Sequence, residues 1–155
     1  MREIPIPCPD PTSGLSICLI GPTIGCSDWQ AEVVEYLSGE KINVFNPRPK
    51  YAVTTNPVLQ NNLQTWEREK IIHADSLCFW FPVGGIWAEA LIKLGMGLEM
   101  AKPIFLGIES NYVQEMYIKS HVIFRRPQQK VHGLVTYMAA EIKTWIYKYY
   151  NGASP

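Results

Sequence analysis

Apolar positions fall into short unbroken runs separated by longer stretches with helical spacing. Residues 15–20, 42–45, 77–81 and 104–108 are strand-length runs without polar alternation, as expected of strands buried on both faces. Between them lie amphipathic or largely apolar stretches. Ser27-Asp28 offers a cap for a helix through Ser38, closed by Gly39. Asn56-Pro57 opens a second helix to about Ala74, and residues 86–100 form a third. Asn111 caps a fourth that ends near Lys119, and residues 122–124 are read as a fifth strand. A final helix carries Val131, Leu134, Val135, Met138, Ile142, Trp145, Ile146 and Tyr149 at i, i+3, i+4 intervals.

Strands alternating with helices predict an α/β single domain, flavodoxin-like or Rossmann-like. A five-stranded parallel sheet would carry helices on both faces, with a pocket at the carboxyl ends of the first and third strands. The domain spans 14–150; residues 1–13, proline-rich and polar, read as an extended arm rather than a leader or spanning helix. With 155 residues the chain is long enough for one sizeable core. Fourteen basic side chains balance fourteen acidic ones, so no footprint for a nucleic acid polymer or a membrane surface is visible. Cys8, Cys18, Cys26 and Cys78 lack C-x-x-C spacing, and two lie in or beside buried-type strands, which points to reduced thiols in a cytoplasmic protein. His73, His121 and His132 are scattered, which argues against a metal site.

Three places could carry chemistry. The loop from Gly21 to Ser27 (with Thr23 and Gly25) is small and hydroxyl-bearing ahead of a helix, a setting that favours an anion. It matches neither G-x-G-x-x-G nor the P-loop, and an ordinary turn with a capping serine explains it equally well. Glu67 lies four residues after Leu63 and four before Ile71, beside Trp66, so its carboxylate sits on or next to an apolar face. Pairing with Lys70 or Arg68 at the rim is the ordinary alternative. Glu89 falls in the first turn of the third helix, where the macrodipole and Lys93 one turn later would account for it without any function. Against that, Ile86, Trp87, Leu91, Ile92, Leu94, Met96 and Leu98 leave that helix little solvated face, and Gly95 and Gly97 suggest close packing against another backbone, a partner subunit's included.

The series Gly21-Pro22-Thr23, Asn46-Pro47-Arg48, Trp66-Glu67, Ala74-Asp75-Ser76, and the glycine-rich turn at Gly84-Gly85 before a Glu-bearing helix ending in Lys102-Pro103 resembles the nucleoside 2-deoxyribosyltransferase-like superfamily, which includes nucleoside 5'-monophosphate N-glycosidases. The resemblance covers roughly residues 15–108. It implies a flavodoxin-like fold, homodimers or higher homo-oligomers with sites near subunit interfaces, and cleavage or transfer at the N-glycosidic bond of a (deoxy)nucleoside or nucleotide, with no metal or redox cofactor. Glu67, eight residues before Asp75, matches the family's upstream acid. Counting from Gly85 places the nucleophile at Glu89; counting back from Lys102-Pro103 places Lys93 there, followed by Leu94-Gly95 where the family has Glu-x-Gly. Cys18 and Pro22 also replace a Tyr and a phosphate-contacting Ser. Gly85, Trp87 and Lys93 are candidate substrate contacts, with Trp87 or Trp80 available to stack on the base.

A catalytically silent nucleotide or nucleoside binder with Lys93 at the nucleophile position is the alternative. A flavin protein on the same fold is a third reading, distinguished by yellow colour.

Overall fold

The computed structural model describes residues 2–4, 14–48 and 57–152. Six strands form one sheet: β1 (Arg2–Ile4), β2 (Ser16–Ile20), β3 (Asn43–Phe45), β4 (Ser76–Phe81), β5 (Ile104–Ile108) and β6 (Val131–His132). Their order is β1-β3-β2-β4-β5-β6, and every neighbouring pair is parallel. Among the described residues there are five helices, the first four between consecutive strands from β2 to β6 and the last after β6: α1 (Trp29–Tyr36), α2 (Pro57–His73), α3 (Ala88–Leu98), α4 (Glu115–Arg125) and α5 (Val135–Tyr150). The expected α/β class, flavodoxin-like with an all-parallel sheet, is what the structure shows.

Two-residue periodicity divides the core into two layers. Cys18, Ile20, Leu77, Phe79, Phe81, Leu106 and Ile108 face α2, α3 and α4, while Ile17, Leu19, Cys78, Trp80 and Phe105 face α1 and α5. All six residues of β4 are buried, as are all five of β2 and of β5, which explains their unbroken apolar runs.

Several elements differ from their sequence expectation. Residues 122–124, expected as a strand, lie inside α4, where Val122 and Ile118 are the buried positions one turn apart. The fifth strand of the 14–150 segment is instead β6, so Val131 belongs to the sheet, and the final helix starts at Val135. Leu134 and Tyr149, placed on its apolar stripe, are 53% and 57% exposed. Asn111 adopts φ 70° in the turn before α4 rather than capping it, and Gln114 is the residue at the N-cap. In the arm, residues 2–4 pair with β3 and make a sixth, edge strand. Asn56, the expected cap of α2, falls outside the described residues.

Polar side chains at the amino end of the sheet explain two recurring sequence features. Asp75 Oδ2 accepts from the Ser16 amide at 2.8 Å and from its hydroxyl at 2.6 Å, which ties β2 to the turn before β4. Lys102 donates to the carbonyls of Ile71 (3.1 Å), Ile72 and Ala74 (2.6 Å), so its ammonium satisfies the orphan end of α2. The Arg126 guanidinium does the same for α3, reaching the carbonyls of Gly97 at 3.2 Å, Met100, and Lys102 at 2.7 Å. Ala74-Asp75 and Lys102-Pro103 are therefore braces at the end of the sheet remote from the strands' carboxyl edge.

Gly107 lies opposite Trp80 in the β4–β5 register, and the Trp80 ring occupies the space a Cβ would need. Gly107→Ala is expected to destabilise the fold by about 1–3 kcal/mol through overpacking, and Lys102→Met by about 1–2 kcal/mol through unmet helix-end carbonyls. Urea denaturation curves of the two variants against the parent check both values.

Candidate functional site

Between β2 and β4 the strand order reverses direction, so the loops that leave their carboxyl ends diverge. A cleft of ≈ 460 Å³ opens there. Its floor and one wall come from Ile20, Gly21, Pro22 and Thr23 after β2, with Pro47 after β3. The opposite walls come from Leu63, Gln64 and Glu67 of α2 and from the segment 86–90 with Lys93 of α3.

Gly21 is required by packing. A Cβ on it would stand 2.6 Å from the Trp80 carbonyl oxygen and 2.8 Å from the Trp29 ring. Beyond it, the Pro22 carbonyl accepts from the Trp29 indole at 3.0 Å and the Gln30 amide at 3.0 Å, which pins the loop on α1. Gly25 (φ 74°) and Gly84 (φ 108°) take the left-handed turns that bring the two loops together; a Cβ on Gly84 would lie 3.5 Å from the Gly25 carbonyl oxygen. The Trp87 indole donates to the Pro82 carbonyl at 2.7 Å and its ring lies over Gly85, so this tryptophan both holds its own loop and lines the cleft.

Ahead of α1 the chain supplies a carboxylate of its own. Asp28 caps the helix by accepting from the Ala31 amide at 3.1 Å and pairs with Arg48 at 2.9 Å. Arg48 also donates to Gln30 Oε1 and to the Ser27 carbonyl. Gly25 and Ser27 accordingly sit outside the cleft wall, whereas Gly21 and Thr23 belong to it. Gly85 supports Trp87 from behind. Trp80 is buried in the layer under α5 and is no part of the cleft.

Glu67 and Glu89 meet at Lys93. The Lys93 ammonium contacts Glu67 Oε2 on α2 and, at 2.7 Å, Glu89 Oε1 on its own helix. The rim pairings considered for Glu67 do not describe it: Lys70 is buried and lies over the Phe45 and Trp66 rings, at 5.1 and 5.7 Å. Trp66, packed edge-on against Phe45, fixes the rotation of α2 that turns Glu67 toward α3. Side-chain exposure is 16% for Glu67 and 19% for Lys93 but 66% for Glu89, so the first two are sheltered and the third stands at the mouth.

One cation serving two carboxylates leaves the cluster net negative. Burial pushes the Glu67 carboxyl above its ordinary range, Lys93 opposes this only in part, and Glu89 adds to it. Burial alone would weaken the Lys93 ammonium, but the two glutamates outweigh it and raise its pKa. Beneath them Cys18 is buried and its thiol is pushed up to about 12, chiefly by desolvation and further by Glu67, so it stays protonated. Among the described residues, no three His, Cys, Asp or Glu side chains converge to hold a metal.

The link between Glu67 and Lys93 was not visible in the sequence. Their separation of 26 positions is spanned only because α2 and α3 pack side by side on one face of the sheet. The i, i+4 pair Glu89–Lys93 was legible, and it exists.

No family model matches the chain, and no curated protein matches it. Among solved structures it is similar to a conserved protein from Enterococcus faecalis V583, at 14% sequence identity and a TM-score of 0.60, over 86% of this chain and 99% of that one. That likeness shows the fold.

Removing the shared cation should expose the cost of Glu67. Its carboxyl pKa is already raised in the folded state, so the ionised form is penalised at pH values above the unfolded pKa, and the penalty vanishes as pH falls below it. Lys93→Met is expected to lose about 1–3 kcal/mol at pH 7 and to regain most of that deficit near pH 4, where Glu67 is neutral. Urea unfolding of the variant and the parent at the two pH values checks this.

Proposed function

We propose that the cleft binds a (deoxy)nucleoside or nucleoside 5'-monophosphate and cleaves or transfers it at the N-glycosidic bond. The observation that carries this reading is the pair of glutamates from two helices, gathered on one ammonium at the carboxyl edge of a parallel sheet. A charge-assisted N–H···O contact spans about 2.7–2.9 Å. Two oxygens on one nitrogen therefore lie within roughly 6 Å, compatible with the spacing at which one carboxylate attacks and another handles the proton.

Glu67 is the acid in this scheme. Its burial raises the proton affinity of the carboxyl, which suits a group that protonates the departing base and then activates the acceptor. Glu89, exposed at the mouth and paired with Lys93, supplies the carboxylate that traps the oxocarbenium-like sugar. Water as acceptor gives a hydrolase and a second base gives a transferase. Trp87 offers an aromatic face in the cleft wall, and Gly21 and Thr23 offer backbone and hydroxyl contacts.

A second reading is favoured by one observation. Lys93 is far more sheltered than Glu89, so the deeper charge beside Glu67 is an ammonium, which cannot trap the sugar. On that reading the protein binds nucleotides without turning them over.

The same face supports self-association. Among the described residues, Ile86, Ile92 and Phe124 are 61%, 67% and 81% exposed, and Gly95 has open space where a Cβ would be, whereas Gly97 is packed against Leu77 and Phe79. A helix interior that keeps an unneeded glycine, at about 1 kcal/mol, between exposed apolar side chains suits a second copy, and the balanced charge of the chain does not oppose it. The free thiols Cys18, Cys26 and Cys78 fit a reducing, cytoplasmic setting.

In a chromatographic base-release assay over purine and pyrimidine nucleosides and their 5'-monophosphates, Glu89→Gln is expected to lose about 100-fold or more in kcat. Unchanged turnover would remove Glu89 from the mechanism, and no turnover in the parent would favour the silent binder. Light scattering is expected to give a dimer or larger assembly that Ile92→Asp reduces to monomer; a monomer mass for the parent up to millimolar concentration would refute self-association.

A further inference from the structure

Lys93 is held by two carboxylates of unequal grip. Glu67 is sheltered in the wall that α2 forms, whereas Glu89 stands at the mouth with most of its side chain in water. The ammonium sits on a flexible four-carbon stem with three donors, so it can follow a stronger partner over a short distance. A phosphate carries up to two charges and three acceptor oxygens and competes well for such a group. Its approach along the cleft would displace the exposed Glu89 first and then draw on the ammonium that Glu67 uses.

We propose that Lys93 is an exchangeable counter-ion, drawn off Glu67 by an anionic phosphate on the ligand, and that Glu67 takes a proton from solvent as that ligand binds. The proposal rests on the reading that the cleft accepts nucleotides, and it adds the group that selects the phosphate and the consequence for the acid. The balance is simple. One proton moves from solvent to a Glu67 carboxylate oxygen, one ion pair is exchanged for another, and no covalent bond is made.

The neighbours of Glu67 support this direction. From α3 it faces Lys93 and Glu89, and from β2 the protonated Cys18 thiol; Arg68, Glu69 and Lys70 flank it on its own helix. Burial already favours the neutral acid, and Lys93 is the group that resists it. When that resistance is drawn toward a phosphate, the anion's own field pushes the same way. A site built so protonates its acid only when a phosphorylated ligand is present, which disfavours reaction with bare nucleosides.

Calorimetry in buffers of different ionisation enthalpy measures the protons taken up on binding. The probes are ribose 5-phosphate, a panel of nucleoside 5'-monophosphates and the matching nucleosides. At pH 7 the parent is expected to take up roughly half a proton or more per phosphate-bearing probe beyond the uptake of Glu67→Gln, an excess that fades as the pH rises to 9. The comparison with Glu67→Gln cancels the titration of the phosphate itself. Lys93→Met is expected to bind phosphate-bearing probes about tenfold or more weakly, a larger loss than it shows for the matching nucleosides. The proposal is overturned if no phosphate-bearing probe binds more tightly than its nucleoside, or if the parent takes up no more protons than Glu67→Gln does. Base release from nucleosides with no phosphate preference would overturn it and leave the glycosidic reading standing. Phosphate-dependent binding with proton uptake but no base release would support it and remove the enzymatic reading.

Discussion

The reversal of strand order between β2 and β4 is the constraint on which the rest of this structure depends. Both strands are buried throughout, so neither can shift sideways without losing its packing on two layers. The chain leaves β2 toward β3 on one side, and later leaves β4 toward β5 on the other. The loops separate, and a crevice follows from topology alone. Gly21 lets the two strand ends stay close at its floor: the backbone can pass the Trp80 carbonyl only because no side chain stands between them.

Around that crevice, the chain uses cations to place helices and to join acids. Lys102 and Arg126 fill the carboxyl ends of α2 and α3, so both helices are anchored at the amino edge of the sheet, and their other ends project toward the cleft. Lys93 then joins the helices across the gap through Glu67. The first two cations satisfy carbonyls that would otherwise be orphaned and are structural in effect. The third meets two carboxylates where one would suffice, and the surplus negative charge is what gives the cleft its chemical character.

Glu89 and Lys93 line the same cleft, and their ion pair couples the charge of one to that of the other. The exposed Glu89 carboxylate shares the ammonium with Glu67. The buried Glu67 carboxyl near the same ammonium has its proton affinity raised by burial and lowered in part by Lys93.

Much of the fold was legible in the amino-acid sequence because it rests on local chemistry. Runs such as residues 77–81 can only be strands buried on both faces, Asp28 is a cap by its position before an amphipathic stretch, and Glu89 with Lys93 is an i, i+4 pair on any helix. Residues 122–124 misled because three apolar residues fit a strand or one turn of a helix, and only packing on the sheet chose the helix. Val131 was misplaced for the opposite reason: its spacing suits the helical stripe, yet pairing with Leu106 claims it for the sheet. Gly25 and Ser27 read as part of an anion loop, and only the tertiary structure shows that Asp28 caps the helix behind them and pairs with Arg48 from beyond β3. The tertiary structure alone decided the partner of Glu67. No periodicity connects residues 67 and 93; the contact exists because two crossover helices lie side by side on one face, and that adjacency is a property of the sheet order rather than of either segment.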